Sequence, residues 1–480
     1  MTTPIAFEEH IKSYQQQQAK CAHLIHLAHQ IWLRCSAELL LGKETIRDKS
    51  SREVWQHYYQ KSQKVDAVSL DKLIDFAEKL SADNLPSDPI DLMEWAGRPE
   101  SITPLAGTRI SQLTANGGYS DTVEPRDVVL YGFGRIGRLV ARALIDGIAK
   151  GSLLRLRAIV TRDKLDRETL IKRANLLRFD SIHGGINASV DVDLENNGLR
   201  INGLPVAIIS ASTPEQIDYT GHGINNALII DNTGVFRDAR QLSRHLDAAG
   251  TASVLLTAPG KGVPNIVMGV NDKQLFQADE APNIVCAASC TTNAIAPVLA
   301  IIQEHIGIRK GHVETIHAYT NDQNLVDNMH KKSRRGRAAA LNMVITETGA
   351  GAAVAQVLPQ LAGKLTSNAI RVPVPNGSLA ILHLELEQPC SRDELHELLG
   401  SSSQHGPLSQ QIDFSNDQEL VSSDIIGTSA AAIVDSLATQ VSPDQHTVVV
   451  YLWYDNEYGY THQVLRLAEK WARVSAPAYC

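Results

Sequence analysis

Asp127-Val-Val-Leu-Tyr-Gly-Phe-Gly-Arg-Ile-Gly-Arg138 runs a strand-forming stretch directly into glycines spaced G-x-G-x-x-G, and Leu139-Val-Ala-Arg-Ala-Leu144 carries on at helical spacing. The spacing alone is weak. Between a strand and a helix it has a mechanism. Gly132 makes the tight turn, Gly134 lets a pyrophosphate approach the backbone, and Gly137 lets the helix pack on the strand. The anion then sits at the helix start, over the N–H groups of Arg135 and Ile136. Downstream of residue 125 strand-like and helix-like runs alternate, which predicts an α/β fold with a mainly parallel sheet.

Working outward, the next informative run is Ala287-Ala-Ser-Cys-Thr-Thr-Asn-Ala-Ile-Ala-Pro-Val298, polar at first and then apolar with helical periodicity to about Ile306. Most single cysteines are buried and structural. Cys290, however, falls at the start of the expected helix, where unpaired N–H groups favour a thiolate, so its pKa is expected to fall and the sulfur to act as a nucleophile. Ser289 and Thr291 beside it supply hydroxyls that cap the helix or bind an anion at the same terminus.

Composition bounds the rest. The chain has 480 residues, 43% of them hydrophobic, enough for two or three domains with a large core. A formal net charge of -8 without a basic block argues against a nucleic-acid partner. The six cysteines show neither a disulfide framework nor paired C-x-x-C sites, so reduced thiols are expected and no residue is assigned to a metal. No signal-peptide pattern and no apolar run long enough to span a bilayer is visible, which predicts a cytoplasmic protein without a membrane partner.

Residues 1–125 differ in character. Ile11, Tyr14, Leu24, Ile25, Ala28, Ile31 and Trp32, then Val54, Trp55, Tyr58, Leu70, Leu73, Ile74 and Phe76, recur at helical spacing without a β-rich run. An all-helical extension is expected, closed by a Gly/Ser/Thr-rich linker at Ala115–Pro125. Its apolar residues, Trp32, Trp55 and Trp95 among them, are too many for a disordered tail, so the extension is expected to fold as a module for assembly or for binding a protein partner.

The cysteine run, Phe133-Gly-Arg-Ile-Gly-Arg138, Asp231-Asn-Thr-Gly-Val-Phe236, Thr257-Ala-Pro-Gly-Lys-Gly262, Val313-Glu-Thr-Ile-His-Ala-Tyr-Thr320 and Trp453-Tyr-Asp-Asn-Glu-Tyr-Gly-Tyr460 together resemble the phosphorylating glyceraldehyde-3-phosphate dehydrogenase family, in the family's order. The resemblance implies a Rossmann dinucleotide-binding domain over 126–289, completed by a C-terminal helix at 457–480, and an α+β catalytic domain over 290–456. It implies His317 as the acid–base partner of Cys290, Asn456 as the residue holding the nicotinamide amide, and Thr233, Thr257 and Tyr460 along the cofactor. Thr320, Asp322 and Arg371 match the family's substrate-phosphate set, and Ser289, Thr348, Gly349 and Arg337 its inorganic-phosphate set. The implied reaction oxidises an aldehyde phosphate through a Cys290 thioester, passes hydride to NAD(P), and cuts the thioester with inorganic phosphate to give 1,3-bisphosphoglycerate, with the backbone N–H groups of Cys290 and His317 holding the oxyanion. A homotetramer is implied too, with the loop near 321–345 crossing to a neighbour's cofactor.

The chain also departs from the family. Ala294 replaces a repeated cysteine, and Thr320-Asn-Asp-Gln323 resembles the NADP-using branch and the erythrose-4-phosphate dehydrogenases, which stay open as an alternative. A regulatory or scaffold protein with an inert core is the alternative from another class, opposed by the intact Cys290, His317, Asn456 and Arg371. An aldehyde dehydrogenase of the unrelated non-phosphorylating fold is opposed by the placement of the glycines. For the cofactor, NAD-selective folds place an acid at the end of the second strand, whereas this strand ends in Thr161-Arg162. Arg162, with Lys331 and Lys332 in the crossing loop, favours NADP over NAD. Asp163 is the counterweight, one residue away from Arg162.

Overall fold

The computed structural model describes residues 4–35, 37–42, 44–62, 68–82, 90–93, 125–149, 152–276 and 282–474. The chain divides into two compact units that part near residue 124. The expected linker at Ala115–Pro125, apart from Pro125, and Trp95 lie outside the described residues.

The N-terminal unit has helices α1 (Pro4–Cys35), α2 (Ser51–Ser62) and α3 (Leu70–Ala82). Their apolar faces close one core around Leu24, Ala28, Ile31, Val54, Leu73 and Phe76, and the Arg47 guanidinium lies 4.0 Å over the Trp32 ring. Two expectations are corrected. The unit is not all helical, because β1 (Leu39–Leu41), β2 (Glu44–Thr45) and β3 (Ile90–Asp91) form a small sheet in the order β2-β1-β3. Strands of two or three residues carry no legible period; they exist through pairings such as Leu39 with Ile90. Ile11 and Tyr14 also stay exposed, so only the second half of α1 supplies core.

The larger unit opens on β4 (Arg126–Tyr131), which enters the glycine turn and then α4 (Arg135–Ala149). After β5 (Leu154–Thr161) come α5 (Arg167–Arg178), the two-residue strands β6 (Phe179–Asp180) and β7 (Gly184–Gly185), the hairpin β8 (Val190–Asp193) and β9 (Gly198–Ile201), and β10 (Leu204–Ser210). Then follow β11 (Ala227–Asp231), the short α6 (Ala239–Ser243), β12 (Thr251–Leu256) and β13 (Ile284–Cys286). The sheet order is β13-β12-β11-β4-β5-β10-β9-β8. All pairs from β13 to β10 are parallel and the edge hairpin is antiparallel. Strand order thus reverses between β4 and β11, the crevice where a doubly wound sheet binds its ligand. This is the Rossmann arrangement.

A mixed sheet follows, built from β14 (Ile308–Ala318), β15 (Val344–Thr346), β16 (Leu365–Val372), β17 (Ser378–Leu386), β18 (Ile412–Ser415), β19 (Ala432–Val441) and β20 (Thr447–Tyr454), in the order β15-β16-β14-β17-β20-β19-β18. Helices α7 (Cys290–His305), α8 (Ala350–Val357) and α9 (Arg392–Gln404) share its core with Leu382, Val434 and Leu452. The last helix, α10 (Tyr458–Trp471), returns to pack Val464, Leu467 and Ala468 into the core that α4 closes over the first sheet. Cys290 touches both cores, and so stands on the seam between them.

Candidate active site

The chain leaves β13 through Ala288, which adopts φ +51° in the left-handed region that a side chain with a Cβ rarely visits. That bend turns the next residues into a helix start. Ser289 is the N-cap: its Oγ accepts from the Thr292 N–H at 3.0 Å. Asn293 Nδ2 ties the turn down by donating to the Ala287 and Ser289 carbonyls at 2.7 and 3.0 Å, and Tyr460 donates its hydroxyl to the Ala288 carbonyl at 3.0 Å. Cys290 is then the first residue of α7.

His317 reaches the sulfur from β14. Its Nε2 lies 3.7 Å from Cys290 Sγ. The parallel register of β14 on β16 puts Arg371 directly beside His317. Nδ1 is 2.7 Å from the Ala318 carbonyl, and Arg371 Nη1 is 2.8 Å from the same oxygen and 2.9 Å from Nδ1. Assigning the proton to Nδ1 lets it donate to the Ala318 carbonyl, to which Arg371 also donates, so that Arg371 makes no hydrogen bond to Nδ1 itself and the Nε2 lone pair faces the sulfur. Burial, and then the charge of Arg371, hold the imidazole down to about 3, so it is a neutral proton acceptor at neutral pH.

The thiol departs from expectation. Half-buried by area but walled in by both cores, it is pushed up by burial, against Arg371, the Thr291 hydroxyl and the first-turn N–H groups, which lower it. In the free protein the pair is therefore a neutral thiol and a neutral imidazole, because the low-dielectric seam and the neighbouring guanidinium disfavour the imidazolium of an ion pair. The Thr291 hydroxyl lies 3.1 Å from Tyr454 Oη, which also meets Thr315 Oγ1 at 2.8 Å. Sequence reasoning missed this buried Tyr454 hub, because the run 448–454 is apolar and aromatic throughout and its sequence singles out no face.

A second arginine acts on the pair from the loop after β14. Arg335 is paired with Asp322, and its Nε donates to Thr346 Oγ1 at 3.1 Å. Its charge reaches both His317 and Arg371, lowering each. Arg337, expected at a phosphate, instead points its Nε at Asp327, 3.0 Å away, with 64% of its side chain exposed against 13% for Arg335. Arg335 is thus the more enclosed of the two arginines, held by Asp322. Thr348 Oγ1 accepts from the Ala350 N–H at 3.3 Å, and Gly349 is the N-cap of α8, with nothing within 4 Å of the space where a Cβ would stand. The Thr320 carbonyl closes the turn to Gln323 at 2.9 Å.

The glycine turn suits a dinucleotide. Gly132 has φ +95°, and a Cβ there would meet Thr233 Cγ2 at 2.8 Å; one on Gly137 would meet the Gly132 carbonyl oxygen at 2.4 Å. Gly134, by contrast, faces open space, the cradle a pyrophosphate needs. The cleft beside it is lined by Gly132, Gly134, Thr161, Arg162, Arg173 and Thr233, among others, and the Thr161 hydroxyl is buried without a partner. Asp231 Oδ1 fixes Thr233 by accepting from its N–H and hydroxyl at 2.8 and 2.7 Å, and its carbonyl takes the Thr257 hydroxyl at 3.0 Å. Asn456 Oδ1 accepts from Ser378 Oγ at 2.8 Å.

Three residues expected along the cofactor turn their side chains elsewhere. The Arg135 side chain turns away to Asp180, at 3.1 and 3.2 Å, and to Glu457, at 2.5 Å, locking α4 to the start of α10, so only its backbone N–H is left for an anion. Ile136 and Tyr460 pack into the core. Among the described residues no group of three or more His, Cys, Asp or Glu side chains could hold a metal, and no helix is long and apolar enough to cross a membrane.

A Rossmann crevice leading to a cysteine–histidine pair defines a nicotinamide-dependent oxidoreductase. The glyceraldehyde 3-phosphate dehydrogenase NAD-binding domain model matches residues 126–239, and the C-terminal domain model of the same family matches residues 289–456. The chain belongs to the glyceraldehyde-3-phosphate dehydrogenase family. It is 53% identical to a glyceraldehyde-3-phosphate dehydrogenase-like protein of Pseudomonas aeruginosa, over 75% of this chain and 77% of that one. It is 40% identical to glyceraldehyde-3-phosphate dehydrogenase 2 of Nostoc sp. (71% and 97% covered) and 38% identical to the Geobacillus stearothermophilus enzyme (71% and 96%). Those two are matched almost end to end, so more than a quarter of this chain lies beyond what they share with it.

Proposed function

We propose that this protein is a phosphorylating glyceraldehyde-3-phosphate dehydrogenase. The observation that carries the reading is Cys290 Sγ at 3.7 Å from a neutral His317 Nε2, with Arg371 beside the imidazole and the charge of Arg335 acting on both. As sulfur bonds to the aldehyde carbon, Nε2 takes the thiol proton and returns it to the forming alkoxide, giving a thiohemiacetal. The N–H groups of Cys290 and His317 hold the oxygen while charge sits on it. A bound nicotinamide supplies the hydride acceptor. His317 then takes the hydroxyl proton, and the resulting Cys290 thioester is attacked by inorganic phosphate, which releases the acyl phosphate and restores the thiol. Two guanidinium groups near the pair suit two phosphates, one carried by substrate and one attacking. Gly134, Thr161 and Arg162 line the dinucleotide cleft, with NADP favoured over NAD. The test is a steady-state assay with glyceraldehyde 3-phosphate, erythrose 4-phosphate, either nicotinamide, and phosphate present or withheld. Turnover that needs phosphate and prefers the triose supports the reading; phosphate-independent oxidation contradicts it.

Arg335→Leu should raise the KM for phosphate by at least about tenfold, as expected when a charge-assisted hydrogen bond is lost, while Arg337→Leu should stay within about twofold. Equal effects would return Arg337 to the site.

Assembly as a homotetramer is part of the proposal. Leu325, Val326, Met329, Leu341 and Met343 in one loop, and Ile345 in β15 just after it, are all more than half exposed, an apolar surface that a neighbouring copy would cover. The extension is taken as a module for assembly or partner binding. Sedimentation of the full chain against one beginning at Pro125 tests it: an unchanged oligomer would exclude the assembly role.

A further inference from the structure

Arg173, on a helix rather than at the strand end, also lines the dinucleotide cleft. Helix α5, capped by Asp166 through the Thr169 N–H at 2.9 Å, lays Arg173 along the cleft wall opposite Thr161, Arg162 and Asp163. Arg173 Nε donates to Asp163 Oδ2 at 2.7 Å, and its Nη2 bonds the same oxygen. Nη1 reaches back to the Phe133 carbonyl in the glycine turn, at 3.4 Å. Arg162 forms no ion pair among the described residues, and Arg138, also in the lining, lies 3.9 Å from Asp180. The wall therefore carries three cations and one anion. Its single anion is already engaged through one oxygen, and the Thr161 hydroxyl beneath is buried without a partner.

We propose that Arg173 and Asp163 jointly read the 2′ position of the adenosine ribose, so that this chain accepts both nicotinamide dinucleotides and favours the phosphorylated one. The inference rests on the dinucleotide reading of this cleft. A carboxylate at the end of the second strand selects a free 2′-hydroxyl because it accepts that hydroxyl's proton and repels a phosphate. Asp163 is placed for that task, but a guanidinium neutralises it. A 2′-phosphate offers Arg173 a dianion in place of a monoanion, and a fork of N–H groups matches phosphate oxygens as well as carboxylate oxygens. Arg162, which has no competing carboxylate, adds the second positive charge. With a free 2′-hydroxyl, Arg173 stays on Asp163, whose other oxygen remains available to accept. Arg173 is thus a specificity residue, set on a helix rather than on the strand end.

The test is calorimetric titration of the full-length protein with NADP and with NAD, without aldehyde, so that the two ligands differ only at the 2′ position and no turnover is read. Arg173→Met should weaken NADP by about tenfold or more, the size of a lost charge-assisted contact, and change NAD by less than about threefold. Asp163→Asn, which keeps the shape and removes the charge, should shift the ratio in the opposite direction by tightening NADP relative to NAD. It also carries the test if the arginine variant does not fold. A ratio of the two dissociation constants unmoved by both substitutions would overturn the proposal while leaving the cleft a dinucleotide site. Failure of the wild type to bind either ligand would overturn the cleft reading, and the proposal with it.

Discussion

Cys290→Ser should bind dinucleotide as the wild type does and lose turnover by at least roughly 10³-fold, because a serine alkoxide hardly forms near neutral pH without a strong base. A neutral imidazole held down to about 3 is not such a base. The loss should lie in kcat and kcat/KM together, since the sulfur acts in the transition state rather than in holding the substrate. Iodoacetamide should label Cys290 ahead of Cys286, which is fully buried and whose thiol burial pushes up to about 11. A serine variant that keeps a tenth of the wild-type rate, or first labelling at Cys286, would remove Cys290 from its role.

His317→Asn is expected to lower kcat by roughly 10²- to 10⁴-fold, the range seen when a general acid–base is lost. Asparagine can still bond the Ala318 carbonyl that His317 Nδ1 now meets at 2.7 Å, so the strand end should hold. Alkylation of Cys290 should slow as well, because Nε2 no longer accepts the thiol proton across 3.7 Å. Unchanged kcat and alkylation rates would make the histidine a packing residue in β14.

What the sequence made legible are the features whose physics is local. A strand entering G-x-G-x-x-G and then a helix specifies its own turn, and the φ of +95° at Gly132 is the conformation such a turn demands. Ser289 followed by an apolar periodic run marks a helix start, and Ser289 is the N-cap. Beyond those, pairing decides. Arg371 meets His317 only because β14 and β16 lie parallel and in register, a contact no spacing reveals. Between Arg335 and Arg337 the loop sequence offers no period; what separates them is which carboxylate each finds, Asp322 or Asp327. The thiol's direction could not be inferred either, since a helix start lowers it and the two cores that wall it in raise it. Leu39–Leu41 shows the same limit in the N-terminal unit, as a strand made by its partners.

A thioester that forms on Cys290 and is cut by phosphate can be caught directly. The measurement is a single mixing of enzyme, glyceraldehyde 3-phosphate and excess dinucleotide without phosphate, followed by mass spectrometry of the quenched protein. The expected result is a burst of reduced dinucleotide, close to one per subunit, with a phosphoglyceroyl group on the peptide that contains Cys290; added phosphate should remove that group and start steady turnover. Steady turnover before phosphate is added, or the acyl group on any other residue, would contradict it.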